Sequence, residues 1–157
     1  VKKPSHIAPD GSLVMVDVGA KPITERVARA ESRVRLSADA ATALREATLP
    51  KGDAFVAAQV AGILAAKRTW ELIPLAHPLP LSSVEVTFEW VDSTEVRIEA
   101  TARTSAQTGV EMEALVAASV AALTIYDMTK ALDRGIVIEG TRLLEKRGGK
   151  SGTWSAR

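Results

Sequence analysis

The chain has 157 residues and a mass of 16.7 kDa, with 46% hydrophobic and 25% charged residues, the composition of a soluble globular protein with one core. It contains no cysteine, which excludes a disulfide framework, thiolate metal ligands and cysteine catalysis. Twenty basic residues against nineteen acidic ones leave a net charge of +1, too little for a long electrostatic footprint on nucleic acid or anionic membrane.

The first dozen residues, with Pro4, Pro9, Asp10 and Gly11, read as a mobile arm. They lack the apolar stretch of a signal peptide. Residues 13–18 form a short apolar strand candidate, followed by a loop through Gly19, Lys21 and Pro22. From 26 to 36 the chain alternates: Ala28, Ala30, Ser32, Val34 and Leu36 share one face, and Arg29, Glu31, Arg33 and Arg35 the other. Period two marks a half-buried strand.

Ser37 is placed to cap a helix reaching about residue 47, and Asp53 to cap a second one reaching about residue 67. Pro74, Pro78 and Pro80 exclude a regular element over 72–81. Val84, Val86, Phe88 and Trp90, then Val96, Ile98, Ala100 and Ala102, alternate with polar residues on either side of Asp92-Ser93-Thr94, as in an antiparallel hairpin. A long helix is expected over 110–133, a last strand over 136–145 and a glycine-rich loop over 147–152. The order β-β-α-α-β-β-α-β is an α+β pattern close to a ferredoxin-like antiparallel sheet with helices packed on one face. The expected organisation is an arm at 1–12, a single catalytic domain at 13–152 and a tail at 153–157.

The long helix carries the strongest signal. Its stretch 114–126 is charge-free for thirteen residues, as is 54–66, and both fall short of the roughly 20 residues that span a bilayer. The chain therefore reads as cytoplasmic. A helix apolar all round is buried on all sides. One sheet covers only one side, so a partner subunit is the economical cover for the other.

Asp127 and Lys130 follow that stretch, one turn apart on one face. An intrahelical ion pair accounts for them simply, and the dipole favours Lys130 there; the same dipole disfavours Asp127, which leaves a functional role equally open. Glu111 and Glu113 stand in the first turn, where the dipole favours acids. Glu113 and Asp127 are roughly 21 Å apart along the axis, at about 1.5 Å per residue. If both are functional, either one site draws them from two chains or each serves a different part of a large substrate.

His77 sits between three prolines, a frame that holds a side chain for proton transfer or phosphate contact. Lys51 lies between two helices, Arg26 opens a strand, and Lys146 and Lys150 flank Gly148-Gly149, where backbone amides and lysines suit phosphate, although taken alone the loop reads first as a solvated tail. Leu144 occupies the place of the first glycine of a Walker A loop, so that motif is absent. Two distant histidines without cysteine do not build a zinc site. The reading requires no cofactor, with magnesium compatible only as a companion of substrate phosphates.

Six segments occur in one order: Met15-Val16-Asp17-Val18-Gly19, Lys51-Gly52-Asp53, Leu75-Ala76-His77-Pro78-Leu79, Thr108-Gly109-Val110-Glu111-Met112-Glu113-Ala114-Leu115, Tyr126-Asp127-Met128-Thr129-Lys130-Ala131 and Gly148-Gly149-Lys150-Ser151-Gly152. Together they resemble the MoaC family of molybdenum cofactor biosynthesis, the cyclic pyranopterin monophosphate synthases. The resemblance implies a ferredoxin-like subunit in a homohexamer, a trimer of dimers with interfacial active sites. It implies a lyase that converts (8S)-3',8-cyclo-7,8-dihydroguanosine 5'-triphosphate to cyclic pyranopterin monophosphate and releases pyrophosphate. It further implies catalytic roles for Asp127, Lys51 and Lys130. Substrate binding would fall to Leu75, Ala76, His77, Met112 and Glu113, with Arg26, Glu111, Lys146 and Lys150 lining the same pocket. Many members have cysteine where this chain has Ala76 and Thr129, so no thiol role transfers to those positions.

Two rival readings are distinguishable. An RNA-binding sheet needs exposed aromatics for base stacking, whereas Phe88 and Trp90 fall on the apolar face. A non-catalytic ligand-binding subunit predicts nucleotide binding without pyrophosphate release.

Overall fold

The computed structural model of the chain describes residues 5–157. Its elements are β1 (Thr24–Arg35), α1 (Ala38–Arg45), α2 (Ala54–Lys67), the single turn α3 (Thr69–Leu72), β2 (Leu81–Trp90), β3 (Glu95–Ala106), α4 (Glu111–Thr129), β4 (Val137–Arg147) and the short β5 (Trp154–Ser155). The strands form one antiparallel sheet in the order β2-β3-β1-β4-β5. Its first four positions have the ferredoxin-like arrangement expected of the sequence. The helices cover one face.

Alternation along β1 selects that face. Ala28, Ala30, Ser32 and Val34 are buried and pair in register with Ala102, Ala100, Ile98 and Val96 of β3. The alanines give the sheet a flat floor, and Ala114, Ala117, Ala118, Ala121 and Ala122 of α4 lie on it fully buried. The opposite face is an ion-pair lattice. Arg29 bonds Glu99 (2.8 Å) and Glu145 (3.2 Å), Arg33 bonds Glu95 (2.9 Å), and Arg35 bonds Glu139 (2.9 Å). Phe88 and Trp90 do not stack bases there: Phe55 packs on Phe88 at 4.7 Å between ring centroids, and the Arg45 guanidinium lies 4.0 Å over Trp90.

Both expected caps form. Ser37 Oγ accepts from Ala40 N at 3.3 Å, and Asp53 Oδ1 accepts from Phe55 N at 3.0 Å and Val56 N at 3.1 Å. Each removes an orphan donor at a helix start.

Four expectations change. Residues 13–18 are extended but join no sheet, and a single bridge links Ile7 to Leu13. Of the arm expected at 1–12, residues 1–4 lie outside the described residues, and the rest folds back through Ala8 N to Ser12 O at 2.9 Å. Helix α4 stops at Thr129 because Asp133 serves elsewhere: its carboxylate accepts from Gly135 N at 2.7 Å and Ser37 N at 3.2 Å. The expected tail turns back, and Trp154 and Ser155 pair with Lys146 and Glu145.

The apolar helix is also not buried on all sides within one chain. By length and composition α4 could cross a membrane, yet half of it is buried inside the protein. The sheet covers one side and α2 a flank, where Gly62 lets the Ala117 carbonyl approach to 2.9 Å of where a Cβ would stand. Met112 and Leu123 stay exposed, at 37% and 57%.

Candidate functional site

The chemistry gathers at the two ends of α4. At the C-terminal end, Lys130 Nζ donates to Asp127 Oδ1 at 2.6 Å and Lys51 Nζ to Asp127 Oδ2 at 3.1 Å. Lys51 Nζ also donates to the Asp127 carbonyl at 2.8 Å. That carbonyl belongs to the last turn, where helix acceptors lack intrahelical partners. Lys51 comes from the turn between α1 and α2, so the fold brings together residues 76 positions apart. All three side chains are exposed. Hydrogen bonds from Lys130 and then Lys51 hold the Asp127 carboxyl below its usual value. The Asp127 bond in turn holds the Lys130 ammonium above its own. The pair is thus set as carboxylate and ammonium.

At the N-terminal end lies a cavity of about 400 Å³. Leu75, Ala76, His77, Glu111, Met112 and Glu113 all line it. The proline-framed loop supplies the first three and the first turn of α4 the others. His77 Nε2 bonds the Val16 carbonyl at 2.8 Å. Glu113 is only 4% exposed. Burial, aided by the neighbouring charge of Glu111, raises its carboxyl to about 7. Lys146 Nζ donates to Glu111 Oε1 at 2.9 Å from β4. Beside it a crevice lined by Arg26, Gly109, Glu111 and Lys146 continues the cavity's rim.

Arg26 spends its donors on the scaffold: Nε on the Ala106 carbonyl at 3.0 Å and Nη2 on the Gln107 carbonyl at 3.1 Å. The Gly148–Gly149 turn presses on its guanidinium so closely that a Cβ at Gly149 would overlap it. Lys150, directly after that turn, is exposed and lines none of these cavities. Lys150 apart, the residues singled out in the sequence thus fall into two groups, and the length of α4 keeps them apart. The cavity also has a wall that those site assignments omitted: Val16, Val18 and Lys21 from the extended segment before β1, with Ile73, Thr108 and Gly109. The signal was present in the alternation of Val16 and Val18 with Met15 and Asp17, which marks an inward face without naming what it faces.

A ferredoxin-like sheet that places ionisable groups at both ends of one core helix defines a small α+β protein equipped for chemistry on a polar ligand. Comparison with known proteins narrows the class. Three relatives bear the name cyclic pyranopterin monophosphate synthase. That of Novosphingobium aromaticivorans is 55% identical over 97% of this chain and 96% of its own. That of Corynebacterium efficiens is 56% identical over 96% and 97%, and that of Brevibacillus brevis 49% identical over 94% and 92%. The profile of the MoaC family matches residues 15–149. The chain belongs to the MoaC family, enzymes of molybdenum cofactor biosynthesis.

Proposed function

We propose that this chain is a lyase that converts (8S)-3',8-cyclo-7,8-dihydroguanosine 5'-triphosphate to cyclic pyranopterin monophosphate and pyrophosphate. The observation that carries this is the match, at 49–56% identity over nearly the whole chain, to relatives of that one name.

Lys51 and Lys130 act as acid and base groups in opening and reclosing the rings, with Asp127 orienting both. Held as a cation by Asp127, Lys130 is a donor in the resting state. It becomes a base once substrate draws Asp127 away, its proton passes to solvent, and the neighbouring Lys51 cation lowers its affinity for a proton. Glu113 reads the guanine-derived edge, whose N–H groups suit a carboxyl acceptor. His77, Lys146 and Lys150 meet the triphosphate, with Arg26 setting the rim. Their charge stabilises the departing pyrophosphate as a ribose-derived hydroxyl closes on the α-phosphorus. The mechanism needs no resident cofactor; magnesium enters, where used, on the substrate's phosphates.

The working form is a cytoplasmic homohexamer, a trimer of dimers, with each site shared between chains. Helical geometry supports the sharing. At 100° per residue, Met112, Val116, Leu123 and Lys130 fall within about 40° of one line along α4. The rim of the cavity and the lysine cluster therefore share the face that carries exposed Leu123. A second copy running antiparallel across this face sets the Asp127 end of one chain against the Glu113 end of the other.

The test is incubation of the purified protein with the cyclised substrate, reading pyrophosphate and the pterin product. Turnover by the wild type, lost in Lys51→Ala, is the expected result. Binding without pyrophosphate release overturns the reading in favour of a non-catalytic subunit.

A further inference from the structure

The cavity wall formed by residues 14–19 is held differently from the rest of the fold. It pairs with no strand, and among the described residues Asp10, Asp17 and Lys21 join no ion pair. Its apolar side chains divide unevenly. Val16 and Val18 turn inward, half-buried, while Leu13, Val14 and Met15 are 77%, 43% and 48% exposed. It borders two voids: the 400 Å³ cavity and a second of about 320 Å³ that opens between Val18, His77 and Gln107.

Beyond its bonds at Val14 to His6 of the preceding residues, two side-chain bonds tie this segment to the body. His77 Nε2 bonds the Val16 carbonyl at 2.8 Å, and Gln107 Nε2 donates to the Gly19 carbonyl at 3.0 Å. Gln107 is itself anchored, since its backbone carbonyl accepts from Arg26 Nη2 at 3.1 Å. A segment with few buried contacts and few backbone bonds opens at low free-energy cost, so each tie weighs heavily on its closed population.

We propose that residues 14–19 are a movable wall of the cavity, and that Gln107 is the positioning residue that holds this wall closed over bound substrate. It acts through Gly19 and touches no reacting atom. The assignment of substrate to this cavity rests on the function proposed above; the looseness of the wall does not.

The experiment uses the full chain and three proteins: wild type, Gln107→Leu and Gln59→Leu. Gln59 makes a comparable bond, to the Val86 carbonyl at 2.9 Å, but between α2 and β2, away from the wall. Hydrogen exchange without ligand reads the wall, and steady-state kinetics on the cyclised substrate reads its consequence. In Gln107→Leu, the amides of Val14 and Gly19, which bond the His6 carbonyl at 3.0 Å and Asp17 Oδ1 at 2.8 Å, should exchange about five- to ten-fold faster, the order set by one hydrogen bond. KM should rise by a similar factor with kcat within about two-fold, and strand amides should keep their protection. Gln59→Leu should change neither the wall nor KM. Unchanged exchange at Val14 and Gly19 in Gln107→Leu overturns the proposal, as does a fall in kcat at constant KM. Faster exchange of the strands together with the wall also overturns it, because Gln107 is then merely structural. If the wild type shows no turnover, the function fails separately, and the exchange result still decides whether Gln107 holds the wall.

Discussion

The two ends of α4 carry acids under opposite regimes. The helix dipole favours a carboxylate at the first turn and disfavours one at the last. Glu113, in the first turn, is nevertheless pushed up to about 7, while Asp127, in the last, is held below its usual value. The dipole is worth roughly 0.3–1 kcal/mol at an exposed terminus. At Glu113 burial beside Glu111 outweighs it, and at Asp127 two lysines do. One helix thus presents an enclosed acid that is about half protonated at neutral pH and an ionised, solvated one, kept roughly 21 Å apart by its own rise. The difference teaches that what a carboxyl can do here is set by its burial and by the charges around it, not by its place along the helix.

The sharpest way to break the comparison is to dismantle the exposed end alone. Lys51→Ala and Asp127→Asn should each lower kcat by about 10²- to 10⁴-fold, the range of a positioned acid or base. The melting temperature should hardly move, because exposed ion pairs contribute little. A variant that loses stability in step with activity makes the cluster a clamp between α2 and α4 instead. Mixing tests whether the two ends cooperate across chains. Asp127→Asn and Glu113→Ala are each impaired alone; co-refolded at equal amounts, half of randomly formed dimers are mixed and carry one intact site. Roughly a quarter of wild-type activity should return. No recovery would place both ends in separate duties.

The enclosed end is broken by pH. The Glu113 carboxyl stands at about 7 in the fold against an ordinary 4.5. Between those values the folded state binds more protons, so stability falls as pH rises from about 4.5 to about 7 and levels off above. The span is on the order of 3 kcal/mol. Glu113→Gln should flatten that limb in denaturant titrations at pH 5 and pH 8. Asp127→Asn should act the opposite way and weakly. The Asp127 carboxyl is depressed, so its pairing is present above the ordinary carboxylate range and lost as acid protonates it.

Much of this was legible in the chain. Period two exposed β1 and the hairpin, Ser37 and Asp53 announced their helices, and the charge-free run marked α4 as the core. What could not be read were effects that depend on distant partners. Residues 13–18 read like a strand, but only the sheet decides whether a neighbour exists to pair with them. Asp133 continues the helical pattern, yet Ser37 and Gly135 draw its carboxylate out of the helix. The inward alternation of Val16 and Val18 did not reveal the cavity behind them, and nothing local to Gln107 shows that it reaches Gly19, 88 residues away.

The middle of α4 holds the two ends in fixed relation, and Gly62 tests how firmly. A Cβ there would stand 2.9 Å from the Ala117 carbonyl and 3.1 Å from Val86 Cγ2, both parts of the packed core rather than flexible tips. Gly62→Ala must therefore displace α2 from α4, even though alanine is the better helix former by roughly 1 kcal/mol. Overpacking a close-packed interior costs about 1–3 kcal/mol, so the net change should be a loss of up to about 2 kcal/mol in denaturant unfolding. Lys51 hangs from the start of α2 and the cavity does not. The same substitution should therefore lower kcat more than it raises KM. If KM alone rises, the strain has travelled to the cavity, and the two ends of α4 are coupled more tightly than their separate environments imply.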